Sequence, residues 1–143
     1  MKILLLLGLA MASSLSLFAA AADDARLLQG KWVPIVAELG GQPMPDTVLK
    51  TISLKLDNGK YEVFVGASPD RGTYAIDAAA SPKCITVVST DGPNRGKTFP
   101  AIYEIKGETL RICYDLSGAR RPAEFKSEAG TKLYLVTYQR KQE

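Results

Sequence analysis

The chain has 143 residues, with 18 Lys and Arg against 15 Asp and Glu, two cysteines and no histidine. Without histidine it lacks the commonest general base, the usual activator of a serine or cysteine nucleophile and the commonest metal ligand, which excludes histidine-based catalysis and metal centres. A formal net charge of +3, spread along the chain, is too small to hold nucleic acid or an anionic membrane by charge alone.

Met1-Lys2, the apolar run Ile3 to Phe18 and the small residues "AAAA" at 19–22 form the three regions of a secretory signal peptide, cut after Ala22. Ser13, Ser14 and Ser16 interrupt the apolar run, so no integral membrane segment is expected after cleavage. Residues 23–143 then make one domain in a secreted or periplasmic setting.

No long apolar 3.6-residue period follows, while turn residues recur every 8 to 12 positions, the pattern of an all-β chain. Asp23 to Gln29 is one helical turn carrying Leu27 and Leu28, stopped by Gly30. A strand over 31–39 leaves through "GGQPMPDT", whose two Gly and two Pro argue against regular pairing. Ile52, Leu54 and Leu56 alternate with Ser53 and Lys55 as a half-buried strand, and Asn58-Gly59 turns it into a strand over 61–65. Further strands are expected over 72–76, 84–89, 98–105, 109–115 and 131–141. Eight antiparallel strands with mostly short turns predict an up-and-down barrel, since closure removes exposed edges; a sandwich is the alternative.

"TDGPNRGKTF", residues 90–99, imitates a nucleotide-binding loop. Asp91 stands where the first glycine belongs, and an extended segment follows where a helix is required, so the stretch is a strand connection and no nucleotide is expected. Ser68 in "GASPDRG" lacks the setting of a nucleophile elbow, and no clustered carboxylates or Cys-x-x-Cys suggest a metal. No catalytic residue, metal ligand or cofactor is therefore assigned.

Strand parity does single out a lumen. If Leu110, Ile112 and Tyr114 face inward, so do Phe99, Ala101, Tyr103 and Ile105, and likewise Tyr61, Val63 and Val65. Tyr61, Tyr103 and Tyr114 would then cover a small apolar ligand and orient it through their hydroxyls, or else simply fill the barrel. Arg121-Pro122-Ala123-Glu124-Phe125 either rims the mouth or clasps the surface, with Phe125 beneath a loop and the charges paired. Cys84 and Cys113 sit on alternate strands, too far apart at about 4.8 Å per strand for a bridge, so two free thiols are expected.

The helical turn, then Gly30-x-Trp32 opening the first strand, with Arg140 near the end of the last, resembles the calycin superfamily of lipocalins and avidins. That resemblance implies a barrel closed at one end by Gly30 and Trp32, with Arg140, or Lys141 in its place, across the indole. "LQGKW", "GPNRGKT", "IYE", "LRICY" and "RRPAEF" are similar to a lipocalin-like domain family of mostly planctomycete secreted proteins. The family implies a fold and a compartment but no activity, and its pattern does not include Cys84, in keeping with free thiols. Ligand binding is the leading expectation. The alternative is a protein interaction, with an unspecified envelope partner or with a protease entered by residues 23–29, as in calycin-type inhibitors.

Overall fold

A computed structural model describes residues 21–142; apart from its last two residues, the expected signal segment 1–22 lies outside them. The described chain opens with helix α1 over residues 21–27 and continues through β1 (Gly30–Leu39), β2 (Gln42–Pro43), α2 (Asp46–Leu49), β3 (Ile52–Asp57), β4 (Lys60–Val65) and β5 (Ser68–Asp77). Strands β6 (Cys84–Asp91), β7 (Thr98–Lys106), β8 (Thr109–Asp115) and β9 (Leu133–Arg140) complete it. From β3 onward each strand pairs antiparallel with the next, β1 pairs with β3, and β9 returns to β1 from Trp32↔Arg140 to Leu39↔Tyr134. This is a closed eight-stranded up-and-down barrel, with β2 as a two-residue appendage of β1. Among the described residues no helix is long and apolar enough to cross a membrane.

The barrel follows from alternation. In β3, Ile52, Leu54 and Leu56 are buried while Ser53, Lys55 and Asp57 are exposed. Asn58 and Gly59 both take positive φ, 48° and 81°, which suits the two-residue turn to the twist of β3 and β4. The inward residues gather in one core with Trp32, Tyr61, Phe99, Ala101, Tyr103, Leu110, Ile112, Val136 and Tyr138. Each large apolar side chain so buried contributes about 1.5–3 kcal/mol.

Three local expectations need correction. "GGQPMPDT" does pair, because Gln42 and Pro43 fold back on Leu39 and Glu38 through a tight Gly40-Gly41 turn, and a one-turn helix follows at Asp46–Leu49. The strand expected over 72–76 runs from Ser68 to Asp77, since β4 pairs with it without interruption from Lys60↔Thr73 to Val65↔Ser68, while its pairing with β6 carries a bulge between Arg71 and Gly72. Val65 keeps its parity but is exposed at the end of β4.

The segment between β8 and β9 lies on the outside of the barrel. Arg121 Nη1 donates to the carbonyls of Ile85 (2.9 Å) and Ala101 (2.7 Å), and Nη2 to the Thr86 hydroxyl (2.7 Å). The Arg111 guanidinium stands 4.1 Å from the Phe125 ring centroid. The Arg121–Phe125 stretch is therefore a clasp, although Arg121 engages strand carbonyls and Glu124 pairs instead with Lys126. Cys113 is buried there, its thiol against the Lys126 carbonyl. The register Cys84↔Ile102↔Cys113 leaves one strand between two free thiols, as the strand spacing requires.

Asp115 starts this segment. Burial raises its carboxyl, but the Ser117 hydroxyl and backbone N–H groups of Arg120, Ser117 and Ala119 outweigh that and hold it below the usual carboxylate range. A depressed folded-state value means stability that is present at neutral pH and lost as the pH falls from about 4 through that value. Thermal midpoints measured from pH 7 to pH 2.5 should fall more steeply for the wild type than for Asp115→Asn; parallel curves would refute the assignment.

Candidate functional site

The two ends of the barrel are built differently. At the first end Trp32 is fully buried, and its Nε1–H donates to the Leu28 carbonyl at 3.0 Å. The Arg140 guanidinium lies 4.3 Å from the indole and donates to the carbonyls of Gln29 (2.6 Å) and Leu27 (2.5 Å). Gly30 is required here: its φ is +124°, and a Cβ would come within 3.0 Å of Arg140 Nη1. Lys141 is exposed, so the position over the ring belongs to Arg140.

Tyr103 belongs to this closed end. It is 1% exposed, and its hydroxyl donates to Asp24 Oδ2 at 2.7 Å, where Lys83 Nζ also arrives at 2.8 Å. Burial, reinforced by the Asp24 carboxylate, pushes its phenol far up, so it stays a donor. Of the three tyrosines expected around a ligand, Tyr103 thus serves the plug. The same contacts bury Asp24 and Leu28 and fix the segment that an inhibitory arm would need free.

The opposite end holds a cavity of about 300 Å³. Its walls come from the end of β1 (Leu39), the start of β3 (Ile52, Leu54), one face of β4 (Tyr61, Val63, Val65) and inward residues of β6 to β9 (Val87, Phe99, Tyr114, Tyr134, Tyr138). Met44, Val48 and Leu116 add apolar surface from the connections. Tyr61 and Tyr114 therefore take their expected places. Tyr134 and Tyr138 join them, Tyr134 stacked on Tyr114 with centroids 5.8 Å apart and ring planes at 20°. Burial pushes the Tyr134 phenol up to about 12 and raises those of Tyr114 and Tyr138 well above the ordinary phenol value, so all three are neutral at any physiological pH.

Among the described residues one charged group lines this apolar space. Asp70, 7% exposed, accepts hydrogen bonds from the Tyr61 hydroxyl at Oδ2 (2.8 Å) and from the Ser89 hydroxyl (2.8 Å) and Asn94 N–H (3.2 Å) at Oδ1. Burial, moderated by Ser89 and reinforced by Asp70, pushes the Tyr61 phenol up to about 12, which fixes it as donor. The nucleotide-like loop finds its purpose here. Gly92 at φ +109° lies so close to β5 that a Cβ would sit 2.6 Å from the Pro69 carbonyl and 2.9 Å from Asp70 Oδ1, and this approach delivers the Asn94 N–H to the carboxylate.

Sequence reasoning missed Asp70 because Ser-Pro-Asp-Arg-Gly has turn composition. Its signal was parity, as Asp70 stands two residues before Gly72 on the same strand face. Tyr134 and Tyr138 were legible in the same way, flanking Val136 at even spacing. Among the described residues no group of three or more Cys, Asp or Glu is placed to hold a metal ion. Compared with family models, with curated proteins and with solved structures, the chain matches nothing in any of the three.

Proposed function

We propose that this protein is a secreted, lipocalin-like barrel that carries a small, mainly apolar molecule in the cavity opposite the Trp32 plug. The observation that carries the reading is the cavity itself: about 300 Å³, the lower end of the range for small-molecule sites, walled by aromatic and aliphatic side chains with a few convergent polar groups. Leu39, Val48 and Val65 line the cavity and are also exposed, so they offer an apolar ligand a surface at its rim. The signal pattern over residues 1–22 and the resemblance of several motifs to those of secreted lipocalin-like domains support the compartment. A protease-inhibitor role finds less support, because Asp24 and Leu28 anchor the segment it needs in the plug.

Filling the cavity tests the reading. Val63→Trp places an indole into existing space from a half-buried strand position, so the fold should tolerate it while the ligand is displaced. Native mass spectrometry of protein collected from the secreted fraction should show a discrete adduct on the wild type and none on the variant. Bare wild-type protein that also fails to take up any of a panel of lipids and aromatic metabolites would end the carrier reading.

A further inference from the structure

We infer that the molecule held in this cavity carries a cationic nitrogen, an ammonium or related N–H donor on an apolar body, which docks on Asp70. The inference rests on the carrier reading and adds the chemical class of the cargo. An ionised carboxylate offers about four acceptor sites. Three protein donors reach Asp70: the Ser89 hydroxyl and Asn94 N–H share Oδ1, whereas Oδ2 receives only the Tyr61 hydroxyl. One acceptor site on Oδ2 is left for a ligand, on a residue that lines the cavity.

The charge is also uncompensated. Among the described residues no lysine or arginine is within ion-pair distance of Asp70, and none lines the cavity. The adjacent Arg71 points outward on the alternating strand and is taken by Glu62 at 2.6 Å and Asp91 at 3.5 Å. All three donors to Asp70 are neutral, so a buried negative charge faces an apolar lumen, where a ligand cation gains most from meeting it. Tyr61, Tyr114, Tyr134 and Tyr138 line the same space, and the faces of neutral phenol rings attract cations while rejecting anions.

The test uses three probes of nearly equal size that differ in head group: 2-phenylethanol, 2-phenylethylammonium and 3-phenylpropionate, titrated calorimetrically into the wild-type protein at neutral pH. The ammonium should bind at least about tenfold more tightly than the alcohol, and the carboxylate most weakly. Asp70→Asn should abolish the ammonium's advantage while alcohol binding survives. Tyr61→Phe keeps the ring but removes a competing donor from Oδ2, so it should preserve or increase that advantage, and it covers the case in which Asp70→Asn fails to fold. Binding of the alcohol with no gain for the ammonium, or a preference for the carboxylate, overturns the cationic class while leaving a carrier. If none of the three binds and the protein yields no native adduct, the carrier reading falls and this inference with it.

Discussion

Trp32→Ala should destabilise the barrel by about 3–5 kcal/mol, measured as the shift in urea unfolding free energy. The largest share comes from the space left by a fully buried indole, which the surrounding strands cannot refill. The lost cation–π contact with Arg140 is a smaller part, about 0.5–2 kcal/mol. Arg140→Ala should cost about 1.5–3 kcal/mol, because its guanidinium also ties down the carbonyls of Leu27 and Gln29 through charged hydrogen bonds. Lys141→Ala, at an exposed position, should stay within about 0.5 kcal/mol of the wild type. A Trp32→Ala protein within 1 kcal/mol of the wild type on the same scale would mean that the plug does not hold the closed end together.

The second large effect is expected at Gly72. A Cβ there would lie 1.9 Å from the Val88 carbonyl, 2.7 Å from Tyr61 Cε1 and 2.9 Å from Ser89 Cα. Two of these obstacles are backbone, so relief requires β5 and β6 to separate at the bulge where Gly72 faces Ser89. Gly72→Ala should therefore cost more than about 3 kcal/mol, beyond the usual range for overpacking. It should also remove cavity binding, since Tyr61 and Ser89 are both Asp70's donors and Gly72's neighbours. Gly96→Ala is the control. Its φ of +86° carries left-handed strain of about 1–2 kcal/mol, but nothing lies within 4 Å of the added methyl. Gly72 itself takes no positive φ, so a cost no larger than that of Gly96→Ala would show that the close approach of β5 to β6 does not require a glycine there.

The amino-acid sequence by itself determined the eight barrel strands, short of the first residues of β5, and their inward faces, and it favoured a closed sheet over a sandwich. Each rests on short-range chemistry: the two-residue alternation of Ile52, Leu54 and Leu56, the tolerance of Asn58-Gly59 for positive φ, and eight strands whose edges are satisfied only by meeting. Gly30, Trp32 and Arg140 were legible in another way, through the resemblance to calycin barrels, which implied that they close one end. What only the tertiary structure decided is the division of labour among inward polar groups. Tyr61, Tyr103 and Tyr114 have the same parity, yet Tyr103 finds Asp24 from 79 residues away and becomes part of the plug. Asp70 looked like a turn residue until donors 9, 19 and 24 positions distant met on its carboxylate, and Arg121 became a clasp only through carbonyls 20 and 36 residues away. Periodicity tells which face a side chain takes, because that depends on its own backbone. Which partner it finds depends on shear, loop path and the bulge at Gly72, and these are fixed only when the strands close on one another.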